Sequence, residues 1–164
     1  MFLTALALAA SSDSVRVEQT VDPITDKSSY FLTVSSKKDY LAIGCFEQGS
    51  KQVAAIVKFD DYLGDQEAGV FAGGMNVVYR FDKGEPLETR WSSQKDRGFS
   101  EYPIDFIKSM NGSKFFYIRA YDYAGDAVTA DFSYSIPSSM YEEMFIKCGL
   151  NADGSKAKKT KSKK

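Results

Sequence analysis

From residue 15 onward, apolar and polar positions alternate in short runs separated by turn-forming clusters, and a period of two predicts strands. The runs cover 15–20, 29–35, 40–46, 52–59, 76–81, 88–93, 114–121 and 127–135, which makes eight strands. The breaks between them carry turn chemistry: Asp22-Pro23, Lys37-Lys38-Asp39, Gln48-Gly49-Ser50, Gly73-Gly74, Lys83-Gly84-Glu85-Pro86, Asn111-Gly112 and Ala124-Gly125-Asp126. Short strands in this rhythm predict a mainly β fold, a two-layer antiparallel β-sandwich.

Two segments change period. Residues 103–110 predict a short helix, opened by Pro103, edged by Ile104, Phe106 and Ile107, and stopped by Asn111-Gly112. The second follows Pro137-Ser138, where Ser139 and Glu142 have the spacing of a capping box. Met140, Tyr141, Met144, Phe145 and Cys148 then share one helical face, and Gly149 supplies a stop. This C-terminal helix is expected to lie apolar face down on a sheet; the alternative use of its stripe is a hydrophobic ligand groove.

Composition agrees with strands. Of the 164 residues 14% are aromatic, with 12 Phe, 10 Tyr and one Trp. The net charge of −1 conceals a split: six of the 21 Lys and Arg stand in the last nine residues, leaving 15 basic against 22 acidic groups elsewhere. An acidic body argues against nucleic-acid binding by the folded domain. Histidine is absent, which removes Ser-His-Asp and Cys-His nucleophile systems and imidazole zinc sites. No GxxxxGK[ST] or GxGxxG loop occurs. The reading is a non-enzyme with no cofactor and no metal.

The chain divides into residues 1–14, 15–150 and 151–164. The first ten, MFLTALALAA, form an apolar run ending in small residues, with Ala7-Leu8-Ala9 in the form of an export cleavage site, although no Lys or Arg precedes the run. The alternative is an N-terminal core strand or helix. Residues 151–164 contain nothing apolar larger than alanine and predict a disordered, lysine-rich tail, either a solubilising segment or one that contacts anionic surfaces. Cys45 and Cys148 match no metal motif. The expected localisation is export to the periplasm, where the two form a disulfide; in a cytoplasmic protein they are two buried thiols.

Three groups of residues carry candidate chemistry. Asp22 and Asp26 in DPITD either cap a turn or bind a ligand. Asp60, Asp61, Asp65 and Glu67 form an acidic loop without EF-hand order, a solvated loop before a calcium site. In the hairpin YRFDKGEPLETRW, Tyr79 and Phe81 share one face of a strand while Arg80 and Asp82 share the other. Trp91, with Arg90 and Tyr79 beside it, either packs in the core or forms a platform for a sugar ring or peptide.

The order of these motifs is DPITD, a strand ending in LAIGC, YRFDKGEPLETRW, a short helix before KFFYIRAY, and a closing MYEEMFIKCGL. Over residues 22–150 it resembles the type VI secretion-associated periplasmic proteins called VasI or TagO, and short phage and prophage relatives. The resemblance implies an exported β-sandwich accessory protein with no established catalytic activity, with Cys45 and Cys148 paired and an envelope or secretion-apparatus protein as partner. The competing expectations are a carbohydrate- or peptidoglycan-binding module and, third, a small carboxylate-based hydrolase.

Overall fold

The alternation is realised as strands in residues 14–68 and 73–156, the part of the chain that this computed structural model describes. The elements are β1 (Ser14–Val21), β2 (Ser28–Ser35), β3 (Tyr40–Cys45), β4 (Ala54–Lys58), β5 (Met75–Phe81), β6 (Leu87–Gln94), β7 (Arg97–Ser100), α1 (Pro103–Met110), β8 (Phe115–Tyr121), β9 (Ala127–Ser133) and α2 (Ser138–Lys147). The mainly β, antiparallel architecture with two short helices is as the pattern predicts. The strands number nine among the described residues and join in one open sheet, in the order β1-β2-β3-β4-β7-β6-β5-β8-β9, rather than in two separate sheets.

The additional strand is β7, which the sequence hides because it is four residues long and contains Gly98. That glycine has a packing cause: a Cβ there would stand 3.0 Å from Met75 Cε and 3.3 Å from the Trp91 ring. β7 and β6 form a hairpin whose tip is tied to the loop after β4, since Leu63 N–H donates to Lys95 O at 2.6 Å and Phe59 N–H to Asp96 O at 2.8 Å. The β5-β6-β7 meander therefore returns to β4, and β8-β9 adds outside β5.

Pairing register places one residue set on a common face: Leu32, Ile43, Val57, Trp91, Val77, Ile118 and Ala130 all point to the core. α1 crosses this face between β7 and β8. Its Phe106 ring lies 5.5 Å from Trp91, 5.4 Å from Tyr79, 5.3 Å from Phe81 and 5.2 Å from Phe116. α2 follows β9 yet packs on β2. In a flat sheet those strands lie about 34 Å apart, whereas a ten-residue helix is about 15 Å long. The sheet must therefore curl around its helices, and Asp131 on β9 does come near enough to Asp39, before β3, to raise its pKa.

α2 buries Tyr141, Met144 and Phe145 as the stripe predicts, but the expected capping box is not formed. Pro137 occupies the N-cap and Ser138 Oγ donates instead to Asn111 Oδ1 at 2.9 Å. At the other end, Cys148 is bonded to Cys45, with Cα atoms 5.7 Å apart. Gly49 N–H donates to Lys147 O and Lys51 N–H to Cys148 O, so the helix end is laced to the β3–β4 loop. Gly149, at φ 84°, sits where a Cβ would meet Gly49 O at 2.7 Å.

Ordered structure continues past the expected boundary at Leu150. Residues 151–156 form a turn in which Asn151 N–H donates to Ser155 O, and Gly154 packs under the Phe145 ring. The rest of the expected tail, 157–164, and the expected leader apart from Ser14 lie outside the described residues.

Two outcomes follow. The disulfide closes a separation of 103 residues, which in the chain-entropy model stabilises by about 4 to 5 kcal/mol. The double variant Cys45→Ala, Cys148→Ala is expected to lose most of that amount in urea unfolding. Gly44→Ala is expected to destabilise by about 3 kcal/mol or more, because its Cβ would fall 2.0 Å from the β2 carbonyl of Tyr30. A urea midpoint near the parent value would contradict this.

Candidate functional site

The sequence-selected residues separate by strand parity. Trp91 is 1% exposed and packs with Tyr79 at 6.2 Å in the ring cluster under α1. It serves the core, the first of the two alternatives for this ring, rather than a Trp91–Arg90–Tyr79 platform. Met75, Val77, Tyr79 and Phe81 share the core face of β5, and Trp91 is paired with Met75. Arg80 and Arg90, one residue out of phase, face outward.

Asp82 does not continue the outward face, because it turns the chain at φ 50°. Its Oδ1 accepts from Lys114 N–H and Phe115 N–H, both at 2.9 Å, and so anchors the start of β8. The Arg90 guanidinium donates to the carbonyls of Gly73 and Gly74 at 2.5 and 3.1 Å. Asp22 Oδ1 accepts from Ile24 N–H at 2.8 Å and Thr25 N–H at 3.1 Å, and these bonds hold its carboxyl below the usual range. Asp26, at φ 55°, donates its N–H to Asp22 O. The DPITD segment is thus a self-capped turn that lifts Ile24, 91% exposed, to its tip.

The acidic loop is similarly committed. Asp60 pairs with Lys38 at 2.6 Å, Asp61 Oδ1 accepts from Tyr62 N–H, and Asp65 Oδ1 accepts from Lys95 N–H.

Residues that the sequence did not single out join Arg80 in an outward groove on β5, β8 and β9. Val78, Arg80, Tyr117, Arg119, Thr129 and Asp131 line a trough of about 460 Å³. Register aligns Arg80, Tyr117 and Asp131 in one row and Val78, Arg119 and Thr129 in the next. The Arg80 guanidinium lies 5.2 Å from the centre of the Tyr117 ring, and Phe115 stacks on Tyr117 at 6.5 Å. Both rings remain about two-fifths exposed. The available signal was β8 itself: in FFYIRAY the face opposite Phe116, Ile118 and Ala120 carries Phe115, Tyr117, Arg119 and Tyr121, rings and a cation on an outward strand face.

A second outward groove, about 590 Å³, lies over β2, β3, β4 and β7. Its floor holds Ala42, Ile56 and an edge-on Phe31–Phe46 pair at 5.1 Å, and Lys37, Lys58 and Arg97 stand round it. Tyr40 donates to Glu18 Oε2 at 2.9 Å; burial first, and this bond second, push the phenol up to about 12, so it stays a donor.

Family models, curated proteins and solved structures were compared with this chain, and none matches it.

Asp39 beside the second groove has a raised pKa, through partial burial first and then through Asp60 and Asp131. A folded pKa above the unfolded one means that the carboxylate opposes folding as pH rises through the folded value. Below the unfolded value both states are protonated and the penalty is gone. Asp39→Asn keeps an acceptor for Asp60 N–H, which now bonds Asp39 Oδ1 at 3.0 Å. It is expected to raise the melting temperature at pH 7, with the two curves converging as pH falls below the aspartate range.

Proposed function

We propose that this chain is a non-enzymatic binding protein of the bacterial envelope that holds another protein on the outward face of β5, β8 and β9. The observation that carries the reading is the exposed row of Arg80 over Tyr117, with Phe115 stacked beside it and Arg119 in the next register position. Aromatic and arginine side chains dominate the energetic centres of protein interfaces because they desolvate large area while keeping a polar or cationic end. The strands beneath fix the backbone positions that present these side chains, which lowers the ordering cost of association.

Export is supported by the A-x-A run before residue 11 and by the Cys45–Cys148 disulfide, a bond that persists in oxidising compartments. No helix among the described residues is long and apolar enough to cross a membrane. The order of motifs resembling VasI and TagO supports a partner in a secretion apparatus or a phage-related envelope assembly. A catalytic reading finds little material: the carboxylates of Asp22 and Asp82 accept backbone amides, and that of Asp60 pairs with a lysine.

The stacked, exposed Phe115–Tyr117 pair also supports a glycan reading, since two parallel rings are a stacking surface for sugars. The two readings part in one experiment. Affinity capture from periplasmic extract with the parent chain and with Tyr117→Ala, Arg119→Ala is expected to lose a specific protein partner by about thirtyfold or more. Muropeptides titrated against the same pair are expected to give no binding heat. Muropeptide binding that disappears in the double variant would replace the protein reading with the glycan one.

A further inference from the structure

Strand β1 has one neighbour among the described residues, and its far side is an open edge of eight residues. Every β1 residue except Val15 is exposed. Sheet edges are ordinarily blunted by proline, a bulge, shortness or an inward-pointing charge, because an open row of N–H and C=O groups recruits another strand. SVRVEQTV has none of these devices: it contains no proline, pairs continuously with β2, and sets its charges on the outward face.

The phase of the open groups follows from the hairpin. Asp22 N–H donates to Lys27 O, one step beyond the β1–β2 register. Alternate residues therefore turn toward β2, namely Thr20, Glu18, Arg16 and Ser14. Val15, Val17, Gln19 and Val21 present N–H and C=O to the open side. On the core-side face Val17 is 48% and Val21 60% exposed, where the hydrophobic surface stops at the edge.

We propose that this edge is completed by a second copy of the chain, β1 pairing antiparallel with β1 about a two-fold axis at Val17. That axis places Val17 on Val17, Val15 opposite Gln19, and Arg16 opposite Glu18 twice. The strand is self-complementary in backbone phase, in apolar contact and in charge, as an isologous interface requires. Charge distinguishes the registers: an axis at Glu18 sets Glu18 against Glu18 and Val17 against Gln19. An axis at Gln19 sets Arg16 against Asp22 beyond the strand end and Glu18 against Thr20, so Arg16 and Glu18 no longer meet.

Arg16 has no acidic partner among the described residues, whereas Glu18 is held by Thr33 Oγ1 at 3.2 Å and by Tyr40 at 2.9 Å. Those bonds fix the acceptor over β2, about one strand spacing from the edge, within reach of an arginine from the second copy. The product is one continuous sheet running through both copies.

Sedimentation equilibrium of the full chain is expected to show reversible dimer. Val17→Pro removes only an outward N–H and is expected to yield monomer with an unchanged circular dichroism spectrum. Arg16→Glu alone and Glu18→Arg alone each oppose like charges and are expected to weaken dimerisation about tenfold or more. Mixed together they restore complementarity and are expected to form heterodimer. A parent chain that stays monomeric at the highest workable concentration would overturn the proposal, as would a dimer indifferent to the folded Val17→Pro variant. Should that variant not fold, a mixture of the two charge variants that forms no more dimer than either alone has the same force.

Discussion

The structure depends on closing the core face of the sheet, nine strands wide among the described residues, with α1 and α2, helices of eight and ten residues. Left flat, a sheet that wide would expose much of its apolar surface, and the hydrophobic cost scales with that area. Curling brings both halves onto the same helices. Phe106 is the pivot on one side, touching rings from β5, β6 and β8. On the other side the Cys45–Cys148 bond and the backbone bonds from Gly49 and Lys51 hold the end of α2 against the β3–β4 loop. Gly44, Gly98 and Gly149 stand where strand, ring or loop approaches too closely for a side chain.

Because the core face takes one parity of every strand, the outward face receives what remains, and its chemistry is a consequence of register. The same pairing that puts Tyr79 under α1 puts Arg80 over Tyr117, and the same pairing that buries Ile118 exposes Arg119. The recognition surface proposed for β5, β8 and β9 is thus built on the back of the best-packed part of the core. The β1 edge lies at the other limit of the sheet, so binding of a partner and joining of two copies make use of different parts of one scaffold.

Much of this was legible in the chain. Turn chemistry and alternation located eight of the strands, Pro103 and Asn111-Gly112 bounded α1, and the Tyr141, Met144 and Phe145 stripe oriented α2. β7 escaped because Gly98 has no side chain to alternate. The capping box at Ser139 failed because Pro137 already supplies the extended entry and Ser138 bonds elsewhere. Among candidate site residues, local pattern left Trp91 and Tyr79 between core and platform, and parity and burial decide for the core. Asp22 and Asp26 stood between turn capping and ligand binding, and with Asp82 they shape turns.

Eight strands, the turns between them, both helices and the lack of imidazole chemistry follow from local periodicity and residue type. Long-range pairing alone makes the strands one sheet, links β4 through β7 to the β5-β6 meander, and brings Arg80, Tyr117 and Arg119 together. Strand order and register join residues distant in the chain, and local pattern carries no term for which neighbour an edge will choose.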